Sequence, residues 1–263
     1  MFKGAAMRNL WVLALVSASA CHGGAADLLS YADPAASTFV GAEWARLAST
    51  PHAAMLRGTL GELWAETRGL EFVEELERVL VSASTTPGGV TLLVVLQGRM
   101  NVETLRAMRS RPGVVAYVRQ GAELMLSPDD GERPDLAVLT SNTVALGDRA
   151  ALVALVERLG RGRRKDSPLL EQARRLAATA DVWSIGSLDV FADGGLEKLL
   201  AKLKQRPDDL LAQSLHQAIV RARHGETFQF AFSADRPAAP PVAKKNVIRI
   251  FGLDTGPREL EFR

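Results

Sequence analysis

Cysteine is nearly absent from this sequence: Cys21 is the single cysteine among 263 residues, so an internal disulfide is excluded. No apolar run reaches the roughly 20 residues that a membrane-spanning helix needs. The sequence also has no large excess of one charge. Residues 1–21 hold two of the 32 basic residues and none of the 30 acidic ones, so residues 22–263 have a formal net charge of zero. A general electrostatic attraction to nucleic acid is thereby excluded.

Recognised catalytic motifs are missing as well. The sequence has no Gly-x-Ser-x-Gly elbow, no His-Glu-x-x-His pattern, no phosphate-binding P-loop and no dinucleotide fingerprint. Its two closest histidines, His216 and His224, are about two helical turns apart, which is too far for one metal ion without other ligands. The sequence therefore predicts no catalytic residues, no cofactor and no metal centre.

Residues 1–21 have the order of a secretory signal. Positive charges at Lys3 and Arg8 precede the apolar stretch Leu10–Val16, and small residues follow up to Cys21. The apolar stretch, about seven residues long, suits recognition by the export machinery but is too short to anchor the chain. We therefore expect export to the periplasmic side of a bacterial envelope.

Cys21 lies where two kinds of cleavage are possible. Ala18-Ser19-Ala20 suits the ordinary signal peptidase, which would release a soluble secreted protein. Ser19-Ala20-Cys21 resembles a lipobox, in which the cysteine is acylated before cleavage, although Ala18 stands where Leu is commonest. A free thiol is a liability in an oxidising compartment, and acylation gives it a use. We therefore predict that Cys21 is lipidated and holds the protein on the membrane.

Composition divides the chain into five parts. After the signal peptide at 1–21 we expect a tether over 22–36, a folded domain over 37–235, a Pro/Ala-rich linker over 236–245, and a C-terminal β-hairpin or arm over 246–263. The prolines of the linker fix φ and favour an extended spacer. The arm either completes the sheet of its own chain or adds to the sheet of an envelope protein partner.

The folded domain is predicted to be α+β, built from strand, Gly turn and helix units. Val90–Leu96, Gln97-Gly98 and a helical pattern over 102–108 make one unit, and Thr143–Leu146 followed by Gly147-Asp148 opens another. Connections between neighbouring strands are too short for parallel crossovers, so we expect a mainly antiparallel sheet. Its helices are expected to pack on one face.

A basic loop is the feature that most favours contact with a membrane or a partner. It contains Arg161, Arg163, Arg164 and Lys165. Each Lys or Arg near an anionic lipid surface contributes about 1 kcal/mol of attraction. A solvated turn is the alternative interpretation.

Three functional hypotheses follow. The first is a non-enzymatic lipoprotein with a binding or assembly role, because the sequence begins with an export signal and has no recognised catalytic motif. The second is an envelope hydrolase, which would need two facing carboxylates in a deep pocket, drawn from Glu43, Glu74 and Asp148. The third is a carrier of a small ligand or lipid, which would need an apolar cavity with Trp44 or Trp183 in its wall.

Five short strand and turn motifs are distributed along most of the mature chain. They are Asp33-Pro34-Ala35-Ala36 before Phe39-Val40-Gly41, Val95-Leu96-Gln97-Gly98, Thr143-Val144-Ala145-Leu146-Gly147-Asp148, Val182-Trp183-Ser184-Ile185-Gly186 and the ending Val247-Ile248-Arg249-Ile250-Phe251-Gly252-Leu253-Asp254. Together they resemble an uncharacterised family of exported bacterial proteins. The resemblance implies an exported α+β protein and assigns no reaction.

Overall fold

A computed structural model describes residues 28–47, 73–86, 89–128, 135–161, 167–188, 210–223, 227–233, 247–252 and 256–261. Three of the predicted features lie outside these ranges. They are the signal peptide with Cys21, the linker over 236–245, and the three basic loop residues Arg163, Arg164 and Lys165.

The described residues form a sheet and a set of helices. The strands are β1 Thr38–Ala42, β2 Val73–Thr86, β3 Gly89–Met100, β4 Val115–Arg119, β5 Ala122–Leu126, β6 Asp135–Thr140, β7 Thr143–Gly147, β8 Val182–Gly186, β9 Phe228–Phe232, β10 Val247–Gly252 and β11 Gly256–Glu261. The helices are α1 Trp44–Leu47, α2 Val102–Arg109, α3 Arg149–Arg161, α4 Pro168–Thr179 and α5 Leu210–Arg223, and Leu29–Tyr31 is a 3-10 turn.

All described strands belong to one sheet, in which every neighbouring pair is antiparallel. From edge to edge the order is β11, β10, β9, β8, β1, β2, β3, β7, β6, β5, β4. The predicted α+β class and mainly antiparallel sheet are therefore confirmed.

Helices cover both faces of this sheet, which corrects the expectation of one covered face. Leu105 of α2 and Leu215 and Ile219 of α5 pack in one apolar core, whereas Leu152 of α3 and Leu170 of α4 pack in the other. The reason lies in the central strands, whose successive residues are apolar and point alternately to opposite faces. A strand that is apolar on both sides has to be covered on both sides.

The first predicted Gly turn is part of a strand. Gln97 and Gly98 continue β3 as far as Met100, opposite irregularities in β2 between Val73 and Arg78. A Cβ at Gly98 would overlap the carbonyl oxygen of Glu75, so a residue without a side chain allows the two strands to approach.

The predicted tether is in part core. Leu28, Leu29, Ala32 and Ala36 are buried in the same apolar cluster as α3 and α4. Arg158 of α3 donates from Nη2 to the carbonyl oxygen of Ala32 at 3.3 Å and lies 3.9 Å from the carboxylate of Asp33. The backbone N–H of Asp33 donates to Ser82 Oγ at 3.3 Å. The packed domain therefore includes residues 28–36.

The C-terminal strands join the sheet of their own chain. β10 and β11 pair along their length, from Val247 opposite Glu261 to Gly252 opposite Gly256. β10 also pairs with β9, where Ile248 lies opposite Phe232. The hairpin therefore extends the sheet beyond β9 and places β11 at one edge.

Replacement of Leu29 by Ala tests whether the segment before β1 is core. Leu29 is 1% exposed, so we expect the free energy of unfolding to fall by about 2–5 kcal/mol, from lost burial and the cavity that remains. Urea denaturation measures the change. Val220→Ala is the control, because Val220 is 39% exposed and its loss should change stability by less than about 0.5 kcal/mol. Equal effects of the two variants would show that residues 28–36 are a tether.

Candidate functional site

The two ends of the central strands hold different buried acidic residues. We name the Glu43 end after the residue that follows β1, and strand pairing places there Ala42, Arg78, Gln97, Thr143 and Ala122. We name the Asp148 end after the residue that follows β7, and pairing places there Thr38, Ala83, Leu92, Asp135 and Gly147.

A buried ion pair lies at the Glu43 end. Glu43 is 4% exposed, and its Oε2 lies 3.4 Å from Nε of Arg78, whose side chain is also largely buried. Nη1 of Arg78 donates to Oε1 of Gln97 on the neighbouring strand at 2.9 Å. The guanidinium therefore bridges a carboxylate at the end of β1 and an amide in β3.

A small pocket lies beside this pair. It is lined by Leu28, Leu29, Gly41, Trp183 and the Glu43–Arg78 pair among others, and its cavity volume is about 10 Å³, roughly the space that one water molecule occupies. The indole of Trp183 covers Gly41 so closely that a Cβ there would overlap the ring. Trp183 is thus buried against its cross-strand neighbour, and this pocket is too small for an organic ligand.

A second ion pair links the neighbouring strands at the same end. Nη1 of Arg46 donates to Oδ1 of Asp181 at 2.5 Å. The backbone of Asp181 accepts from the N–H of Glu43 at 3.0 Å and donates to the carbonyl oxygen of Phe232 at 2.9 Å. Trp44, which lies between Glu43 and Arg46 in the sequence, is partly buried and packs against the apolar core that includes α5. These contacts fasten the ends of β1, β8 and β9 together.

The Asp148 end carries a pair of acidic residues around the start of α3. Oδ2 of Asp148 accepts from the backbone N–H of Leu92 at 2.9 Å. Oδ2 of Asp135 accepts from Nε of Arg149 at 2.9 Å, and Oδ1 accepts from the N–H of Ser127 at 2.7 Å. Burial raises the pKa of the Asp148 carboxyl above its ordinary value; the hydrogen bond from Leu92 opposes the shift and the charge of Asp135 adds to it.

The structure does not bring the predicted hydrolase carboxylates together. Glu43 and Asp148 lie at opposite ends of the strands, so they are not a facing pair across one substrate. The side chain of Glu74 lies outside the described residues. Both described carboxylates accept contacts from their own chain, which suits a structural role.

Arg161 is the one predicted contact residue of the basic loop that the structure describes. It ends α3, and its Nη2 lies 3.2 Å from Oε2 of Glu157. Oε1 of the same Glu157 accepts from Nη2 of Arg119 at 2.7 Å. The end of α3 and the end of β4 are therefore joined through one carboxylate.

Sequence reasoning missed two features. One is the role of Arg78, because a single cation before an apolar run gives no indication of its partner. The exposed side chains of β4, among them Val115 and Val118, were not recognised as surface. Residues 114–118 are all apolar, which is typical of a strand covered on both faces, so the exposure of β4 has no signal in the sequence.

Neither a membrane-spanning helix nor a metal-binding cluster is found in the described part of the chain. No described helix is long and apolar enough to cross a membrane. The described residues contain no group of three or more His, Cys, Asp or Glu side chains arranged to hold a metal ion.

Comparison with known proteins gives a distant likeness in fold. No protein-family model and no curated protein sequence matches the chain. The chain is similar to crystal form I of TP0453, with 12% identity, a TM-score of 0.41, and coverage of 85% of this chain and 76% of that one. Crystal form III gives 12% identity, a TM-score of 0.39, and coverage of 90% and 77%. Similarity at this level does not establish a family.

A double-mutant cycle on Glu43 and Arg78 tests the buried pair. Arg78→Met leaves the Glu43 carboxylate in an apolar surrounding, so we expect a loss of about 3–5 kcal/mol in the free energy of unfolding. Adding Glu43→Gln should recover part of it, with a coupling energy above about 1 kcal/mol from urea denaturation. The control is the exposed pair Glu103 and Arg106, for which Glu103→Gln and Arg106→Met should couple by less than about 1 kcal/mol. Additive effects at 43 and 78 would contradict a bound pair.

Asp148→Asn tests the raised pKa at the start of α3. Because the folded protein holds this proton more tightly than the unfolded chain, the resulting stabilisation is complete below the ordinary aspartate pKa and is lost as the pH rises through the folded-state value. The wild type should therefore lose free energy of unfolding relative to Asp148→Asn as the pH rises above about 4, the ordinary aspartate pKa. Urea denaturation of both proteins at a series of pH values measures the difference. A difference independent of pH would contradict the shift.

Proposed function

We propose that this protein is a lipid-anchored lipoprotein of the bacterial envelope with a non-enzymatic binding or assembly role. The observation that carries the proposal is the packing of residues 28–36 into the domain core. Only seven positions separate Cys21 from the buried Leu28, and an extended chain covers at most about 3.6 Å per residue. A lipid on Cys21 would therefore hold the domain within about 25 Å of the bilayer.

Close attachment suits a protein that works on partners in or at the membrane. Both faces of the sheet are covered by helices, so sheet edges and loops are the surfaces left for recognition. β11 is an edge of the described sheet, and an envelope partner would add a strand there through backbone hydrogen bonds. This mode needs no cofactor.

The basic loop would add to the attachment. Arg161 ends α3, and Arg163, Arg164 and Lys165 come after it in the sequence, beyond the described residues. Each cation that reaches an anionic leaflet adds about 1 kcal/mol.

The intact mass of the mature protein, extracted from membranes of a bacterial host, tests the anchor. We expect a chain that begins at Cys21 and carries the mass of a diacyl or triacyl modification. The Cys21→Ser variant should lose both the added mass and the association with the membrane fraction. An unmodified wild-type chain in the soluble fraction would overturn the proposal and indicate a diffusible protein.

A further inference from the structure

Exposed apolar side chains are concentrated along the edge strand β4 and at the nearby end of α3. Large hydrophobic residues with substantial exposure occur at six described positions, and four of these belong to β4 or α3: Val115, Tyr117, Val118 and Leu159. β4 is the edge strand opposite β11. Val118 is 69% exposed, which is unusual for an apolar residue in a strand. Clustered exposure of this kind marks contact surfaces.

Basic side chains lie near the Val118 end of β4. The turn at Gln120 and Gly121 joins β4 to β5, and Gln120 lies directly against Gly160 of α3. Arg119 and Arg161 flank the turn and share the carboxylate of Glu157. Two guanidinium groups with one carboxylate leave a local surplus of one positive charge, although the mature chain as a whole is neutral.

The N-terminal segment enters the domain at the same end of the sheet. Leu28 lines the pocket beside Glu43, Ala42 and Arg78. Through strand pairing, the Glu43 end of β2 lies beside the corresponding ends of β3, β7, β6 and β5 in turn, and finally beside the β4–β5 turn. Leu28, Val118 and Arg161 are therefore all at the Glu43 end.

The length of chain before Leu28 decides between the two ends. With Cys21 in the bilayer the connection reaches at most about 25 Å. Turning the Asp148 end to the membrane would require the connection to run back past β1, whose five residues span about 17 Å at 3.3 Å each. Only about 8 Å would remain for the headgroup region, whereas the Glu43 end needs no such return.

We propose that the end of the sheet at the β4–β5 turn contacts the anionic surface of the bilayer when the protein is anchored at Cys21. This end carries Val118 on one face of the sheet, Arg119 with Leu159 and Arg161 of α3 on the other, and Gln120 in the turn between them. The anchor itself rests on the proposed function. Val118 and Leu159 enter the interfacial region, and the two arginines meet lipid phosphates as charge-assisted donors. The membrane thus fixes the orientation of the domain, with the Asp148 end directed away from the bilayer.

Amide hydrogen exchange on a chemically anchored protein tests this orientation. The purified mature chain has one thiol, at Cys21, which couples to a maleimide-headgroup lipid in vesicles of phosphatidylethanolamine and phosphatidylglycerol. Compared with the same chain capped by N-ethylmaleimide, exchange should slow several-fold in residues 116–121 and 159–161. Residues 110–114, near the Asp148 end, should be unchanged. Vesicles of phosphatidylcholine alone should give less protection, because they lack the anionic headgroup.

Two substitutions in the same strand give matched variants. Val118→Glu should abolish the protection at 116–121, and Val115→Glu, at the other end of β4, should leave it intact. Both sites are exposed, and exchange in the capped protein shows that each variant is folded. Protection at 110–114 or no protection at all would overturn the orientation.

The outcomes also separate this inference from the anchor and from self-association. Because maleimide coupling replaces the natural lipid, a failure here leaves the mass measurement on Cys21 unaffected. Protection of 115–119 in the capped protein that grows with concentration would indicate pairing of β4 with a second copy. That result would overturn the lipid contact in favour of a protein interface.

Discussion

In β3, Leu92, Val94 and Leu96 lie in one apolar core while Leu93 and Val95 lie in the other, and all five are buried. Full burial of a side chain of this size contributes about 1.5–3 kcal/mol. A single helical layer would leave one of these sets in water. The neighbouring strands have the same character, so α2 and α5 cover one face, and α3, α4 and residues 28–36 cover the other.

Because helices cover both faces of the sheet, its buried charged groups lie at the ends of the strands. Glu43 with Arg78, Arg46 with Asp181, and Asp135 with Arg149 each join residues that are distant in sequence. Buried pairs contribute little net stability, because desolvation offsets their attraction. Their geometry nevertheless depends on register: a slip of β2 by one residue would turn Arg78 to the opposite face. The pairs therefore oppose alternative pairings of a sheet whose central strands present apolar residues to both faces.

The fold was predictable where signals were local. Short connections indicated antiparallel pairing, and Ser167 with Pro168 marks the start of α4, where Ser167 Oγ accepts from the N–H of Leu170. The second apolar core could have been predicted from the continuous apolar run of β3, because strands with one solvated face alternate apolar and polar residues. Residues 28–36 were misjudged because their few apolar side chains become core only through partners from other parts of the chain. Glu43 was singled out from the sequence, but its pairing with Arg78 arises from strand register, which periodicity alone does not give.

The position of residues 28–36 sets an order for folding. These residues precede every described strand in the chain, yet Leu28 and Leu29 pack beside Trp183, and Asp33 meets Arg158. The segment can dock only when β8, roughly 150 residues further along the chain, has paired with β1. Closing this part of the core is therefore a late step of folding, although the residues that close it come first in the sequence.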